Sequence, residues 1–135
     1  MYFEQAIHTR WAEDPALAAA LSPDRVHTGL SPADDLPYAT LARRAFRPRV
    51  RTNAGDAVCE ARLQLDVWHD DAEAGAAVIE QALRTLNRAA LPLDDGRQSA
   101  RLTCGDRSAV EHDDGVWQFG LAIHAQIITQ SEETL

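Results

Sequence analysis

Cys59, Ala61, Leu63, Leu65 and Val67 alternate with Glu60, Arg62, Gln64 and Asp66, the period-two pattern of a strand with one buried face. At His69 the alternation stops. Asp70 and Glu73, three residues apart, have the form of a capping pair, so a helix is expected from about Asp71. Beyond it Ala72, Gly75, Ala76, Ile79, Leu83, Leu86 and Ala90 fall on one helical stripe, while Glu73, Glu80, Gln81, Arg84 and Asn87 fall on the other. The helix is amphipathic and is expected to lie on the sheet. Its small first-turn residues allow a close approach, and Glu80 with Arg84 forms an i,i+4 pair.

Nearer the N-terminus, Tyr2, Phe3, Ala6, Ile7, Arg10 and Trp11 recur at helical spacing. Asp14 before Pro15 is a cap and first-turn pair, which predicts a second short helical piece through Leu17 to Leu21 after a kink, ended by Ser22 and Pro23. Arg25 to Leu30 suits a short strand, and Ser31, Pro32, Asp34, Asp35 and Pro37 then make a turn-rich connection. Tyr38, Thr40 and Ala42 begin a strand that runs into RRAFRPRVRTNAGD, where Pro48 and the cluster from Asn53 to Asp56 predict a long hairpin connection. Leu91 to Gly96 read as a loop. Ala100, Leu102 and Cys104 open another strand, bulged near Gly105 and reaching His112, and Asp113-Asp114-Gly115 is a turn signal. From Trp117 to Ile127 the odd positions are apolar without interruption, as expected of the central core strand. The sum is an α+β fold: an antiparallel sheet of four to five strands with two helices packed on one face. Residues 1–130 are expected to form one domain, with 131–135 a frayed tail.

Composition and charge narrow the possible functions. The chain of 135 residues is 45% hydrophobic and 25% charged, a globular make-up, and no apolar run approaches the roughly 20 residues of a membrane helix. The N-terminal MYFEQAIHTRW has no secretory pattern, so a cytoplasmic origin without a membrane partner is expected. In that reducing setting Cys59 and Cys104, each on the apolar phase of a strand, are expected as small buried hydrophobes. A net charge of -8 argues against direct nucleic-acid recognition. All thirteen basic residues are arginine, and they are unevenly placed. From Ala42 to Arg62 six arginines meet only Asp56 and Glu60, a local balance of +4 that leaves -12 for the rest.

His-Asp-Asp occurs twice, at His69, Asp70, Asp71 and at His112, Asp113, Asp114, and imidazole with carboxylates could bind a divalent metal. Both copies fall where a strand ends, one at a helix cap and one in a turn, positions that favour Asp without any metal. The paired acids Asp34-Asp35 and Asp94-Asp95 read as turn residues for the same reason. There is no G-x-S-x-G, reactive-cysteine signature, glycine-rich phosphate loop, H-E-x-x-H or C-x-x-C, and neither a catalytic residue nor a cofactor is implied. Arg43, Arg44, Arg47, Arg49 and Arg51 are the candidate functional residues, as an oligomer or tube interface. An acidic body with one basic loop suits head-to-tail association, in which the loop of one copy meets the acidic surface of the next; a plain solvated loop is an equal reading of the same charge run. The outward positions of the last strand, Val116, Gly120, Ala122 and Ile128 among Gln118, His124 and Gln126, are less polar than a wet face and suit subunit packing.

The order LPYATL, an arginine segment with RTNAGD, EARLQLDVWHDDAEAGAAVIEQALRTL, a short LPLDDGR loop and a final apolar strand resembles the tail-terminator, or tail-completion, proteins of long-tailed phages and gene transfer agents. The likeness runs from about Tyr2 to Ile128. It implies a non-enzymatic structural protein of a phage or prophage tail. Such a protein assembles as a homo-oligomeric, typically hexameric, ring at the head-proximal end of the tail tube. The implied partners are further copies of itself, the tail-tube protein and head-completion or connector proteins, in the bacterial cytoplasm during assembly and then in the virion. The resemblance carries no site residue across, so the arginine interface rests on charge alone. The alternative is a small metal-binding enzyme or dimeric binding module using the His-Asp-Asp elements.

Overall fold

The computed structural model describes residues 3–29, 35–51, 57–93 and 98–129, apart from the side chains of Phe3, residues 46–51 and Ala57. The clusters at Asn53 to Asp56 and Asp94-Asp95, together with Tyr2, Asp34 and the tail from 130, lie outside the described residues. Six strands form one sheet: β1 (Val26–Thr28), β2 (Tyr38–Arg51), β3 (Ala57–His69), β4 (Ala90–Leu93), β5 (Gln98–Glu111) and β6 (Trp117–Thr129). Their order is β1-β2-β3-β6-β5-β4. The helices are α1 (Phe3–Glu13), α2 (Pro15–Ala20) and α3 (Ala72–Leu86), with a 3-10 turn at Pro23–Arg25.

The phase read from the sequence holds at the centre. β3 and β6 pair antiparallel from Ala57↔Thr129 to His69↔Trp117 without a register shift. Ala61, Leu63, Leu65 and Val67 therefore share a face with Phe119, Leu121, Ile123 and Ala125, all buried, and that face carries the helices. Ile7 and Trp11 of α1, Leu17 of α2, and Val78, Ile79, Ala82 and Leu86 of α3 close the same core. α3 approaches closely because of Gly75, where a Cβ would lie 2.4 Å from Phe119 Cε2. At the kink, Trp11 Nε1 donates to the Leu21 carbonyl at 2.9 Å, so the buried indole is satisfied while it joins α1 to the end of α2. Asp14 caps α2, accepting from the amides of Ala16 and Leu17 at 2.9 and 3.2 Å, and also accepts from the Thr85 hydroxyl of α3.

Several expectations are corrected. The sheet has six strands instead of four to five, and three helices take the place of two. It is not wholly antiparallel, because β1 pairs with β2 in parallel. Nine residues separate Thr28 from Tyr38, and a strand of three residues spans only about 10 Å, so this short connection suffices to re-enter the sheet in the same direction. The cap of α3 is Asp71, whose Oδ1 accepts from Ala74 N at 3.1 Å; Asp70 with Glu73 is not the capping pair. The helix ends at Leu86 rather than Ala90, where Asn87 leaves helical geometry and Arg88 adopts φ +65°. The expected loop from Leu91 begins as edge strand β4: Leu91 and Leu93 are buried, and Pro92 is tolerated because the strand is at the edge. Glu80 is taken by Arg107 of β5 at 2.5 Å, so its cross-element pair replaces the expected contact with Arg84. The bulge near Gly105 is present as a register shift between Cys104 and Arg107, and the turn after His112 closes with Gly115 at φ +81°.

Two tests address these packing constraints. Gly75→Val is expected to lower unfolding free energy by about 1–3 kcal/mol through overpacking. Part of that loss should return when Phe119→Leu is added, read as a coupling in urea unfolding. The Asp14 carboxyl is held below its ordinary 3.8, first by the Thr85 hydroxyl and then by the Leu17 amide. A lowered carboxylate stabilises the fold above its unfolded value, and that contribution is lost as pH falls through the folded one. Asp14→Ala should therefore lower the thermal midpoint at pH 7, and its gap to the wild type should close in acid below about pH 3.8.

Candidate functional site

The arginine segment is not the hairpin connection that was expected. It is the far half of β2, paired to β3 as Ala45↔Arg62, Phe46↔Ala61, Arg47↔Glu60, Pro48↔Cys59, Val50↔Val58 and Arg51↔Ala57. Register shifts at Arg43/Ala45 and Pro48/Val50 absorb the irregularity, the second beside the proline that lacks an amide donor. Only Ala39, Thr40 and Leu41 of β2 pair with β1. Beyond Leu41 β2 is therefore the last strand on its side of the sheet among the described residues.

The five candidate arginines do not act as one group. Arg43 is in register with Leu63 and so lies on the helix side, where Nε and Nη2 donate to Glu4 at 2.7 and 2.9 Å. Glu4 is 8% exposed, in the first turn of α1. This bidentate contact ties the first helix to the sheet and engages the partly exposed Arg43 guanidinium within its own chain. Glu4 was missed as a partner, since 39 positions separate the two and no local pattern links them. Arg44 is exposed and lines a cavity of about 520 Å³ with Arg62, Gln64, Thr103, Asp106 and His124 on the helix-free face. The backbones of Arg47, Arg49 and Arg51 follow β2, and their side chains lie outside the described residues.

The helix-free face is neither bare nor fully wet. Gly120 is buried there, and a Cβ on it would meet Ser108 Oγ at 2.5 Å and Gln64 Nε2 at 2.6 Å. His124 Nε2 lies 3.6 Å from Glu60 Oε1. At the end of the sheet remote from Arg51 the same face carries a ring stack. Tyr38 and Trp68, register partners, are 6.1 Å apart at 19°, and Trp68 and His112 are 5.7 Å apart at 23°. These rings, with Leu36, Asp113, Asp114 and Val116, line a cavity of about 570 Å³. Trp68 Nε1 is buried and has no hydrogen-bond partner, in contrast to Trp11.

Both His-Asp-Asp elements hold local structure. His69 Nδ1 accepts from Asp71 N at 3.0 Å, 3.2 Å from Asp70 Oδ1, at the cap of α3. His112 Nε2 contacts Gln118 Oε1 at 3.0 Å, and Asp114 Oδ1 accepts from Val116 N at 3.2 Å across the turn. Among the described residues no group of three or more His, Cys, Asp or Glu side chains is placed to hold a metal ion. Cys59 and Cys104 are free and half-buried, and burial pushes the Cys104 thiol up to about 11, so it carries little thiolate at neutral pH. Among the described residues no helix is long and apolar enough to cross a membrane.

A chain from the solved virion of a native gene transfer agent particle has the same fold, with a TM-score of 0.72 at 18% identity, covering 93% of each chain. No curated protein matches the sequence. A protein-family model matches residues 5–127, which takes in all but the first two residues of α1 and the last two of β6. By that match the chain is a structural protein of phage tail assembly. It belongs to the family described as Tail completion protein gp17.

The ion pair between α1 and β2 can be measured directly. Glu4→Gln is expected to cost about 1–2 kcal/mol, between the values for buried and surface pairs because Arg43 is 36% exposed. Arg43→Gln should add little to it, so a double-mutant cycle in denaturant should return most of that energy as coupling.

Proposed function

We propose that the protein forms a homo-oligomeric ring, a hexamer, that ends the tail tube and joins the tail to the head. Family membership carries this reading, because completing a tail requires a body that meets the end of a tube. Residues 1–130 act in it as one domain. The ring forms in the host cytoplasm during assembly, and its neighbours in the virion are the tail-tube protein on one side and head-completion or connector proteins on the other. No catalytic step, cofactor or nucleic-acid readout takes part.

The far half of β2 supports the association. Its backbone carries Arg44, Arg47, Arg49 and Arg51 along a strand with no neighbour on its outer side among the described residues, on a protein whose remaining charge is negative. A basic strand end and an acidic remainder at different places on one chain favour a head-to-tail contact over a self-complementary one, and a head-to-tail contact whose rotation closes gives a ring. Arg43 contributes indirectly, by holding α1 beside that strand.

The test is absolute mass by light scattering across a concentration and salt series, alone and with tail-tube protein. A species of six protomers that weakens as salt rises is the expected result. Reversal of Arg47, Arg49 and Arg51 to Glu should abolish it. Full assembly by that triple variant would remove the arginine strand from the interface.

A further inference from the structure

The cavity framed by Tyr38, Trp68, His112, Asp113 and Asp114 has no role so far. Its composition selects among ligands. Its wall is a stack of aromatic rings, and its rim carries two carboxylates on an exposed turn, with Glu111 exposed just before them. A phosphate or other anion would meet those carboxylates and is disfavoured. An aliphatic side chain would leave them unpaired. A guanidinium satisfies both parts, since it is planar, stacks on aromatic faces and pairs with carboxylates through a fixed fork of N–H donors. Trp68 adds an independent sign: among the described residues its buried indole N–H has no acceptor, and since a guanidinium only donates, the acceptor it calls for is a backbone carbonyl of the same incoming segment.

The same chain supplies a matching segment. Arg47, Arg49 and Arg51 lie on the far half of β2, whereas Tyr38 is its first residue. Along a strand of 14 residues these ends are roughly 40 Å apart. One copy therefore cannot fill its own cleft with its own β2 end. Two copies placed head to tail can.

We infer that the Tyr38, Trp68, His112, Asp113 and Asp114 cleft receives the arginine-bearing end of β2 from a second copy of this chain. The inference rests on the ring reading above and names its receiving surface. Asp113 and Asp114 bind the guanidinium groups, and the ring stack covers their planes. Because donor and acceptor lie at opposite ends of the sheet, each added copy leaves one free cleft and one free arginine end until the assembly closes.

A peptide of residues 44–52, RAFRPRVRT, titrated into the full chain and followed by NMR at the Trp68 indole N–H, tests this directly. Trp68→Phe assigns the signal. Saturable movement of that signal is expected. Affinity should fall about tenfold or more when the peptide's three arginines at 47, 49 and 51 are glutamine, and likewise for Asp113→Asn with Asp114→Asn. These substitutions are on an exposed turn and keep the side-chain oxygen that accepts from Val116 N, so folding is preserved. A still Trp68 signal at millimolar peptide, or undiminished binding by the Asp113/Asp114 variant, overturns the inference. Peptide binding by a chain that stays monomeric even with tail-tube protein keeps the cleft and overturns the ring. Rings that form unchanged in the Asp113/Asp114 variant keep the ring and overturn the cleft.

Discussion

The pairing of β3 with β6 is the constraint on which the rest of the molecule depends. Thirteen consecutive residues of each strand face each other without a slip, and because side chains alternate with period two, that single register sets which face of the sheet is apolar. A slip of one residue would put Leu121 and Ile123 on the opposite face from Leu63 and Leu65 and split the apolar face. The outer strands tolerate irregularity that the centre does not. β2 shifts register twice against β3, and β5 bulges against β6, while the core beneath remains in phase.

From this centre the two faces take different work. One is filled by Trp11, Leu17, Ile79 and Leu86, with Gly75 letting α3 settle against Phe119. The other keeps small residues, amides and a ring stack at its surface, a mixture suited to meeting protein rather than water alone. Among the described residues, polar ties between elements include Glu4 with Arg43, Asp14 with Thr85 and Glu80 with Arg107. Each joins a helical element to a part of the chain distant in sequence.

What the sequence revealed follows from range. Period-two and period-3.6 patterns made β3, α3, β6, the α1 to α2 kink and the turn at Gly115 legible, because each is decided by residues within a few positions of one another. Pairing partners were not. Nothing local says that Val26 to Thr28 runs parallel to β2, or that Pro92 is in an edge strand rather than a loop. Proline and the Asn-Gly cluster pulled the reading of residues 43–51 toward a connection, whereas the tertiary ladder with β3 holds them extended. The same limit applies to the candidate site. Arginine density was visible, but Glu4 as the partner of Arg43 depends on the placement of α1, and the ring stack depends on three strand ends meeting. The family likeness was legible as an order of elements, and it holds over residues 5–127.

Beyond Leu41 β2 has no neighbouring strand on its outer side among the described residues, and that bears on solubility. Backbone amides and carbonyls along an unpaired strand are a template on which another chain can add, which is how sheets grow into insoluble aggregates. Here the strand places Arg47, Arg49 and Arg51 at every second position, beside Pro48. Two such strands approaching side by side bring like charge against like charge, and the proline interrupts the row of donors. Charge and proline in such a row are the residues that hold back runaway strand addition.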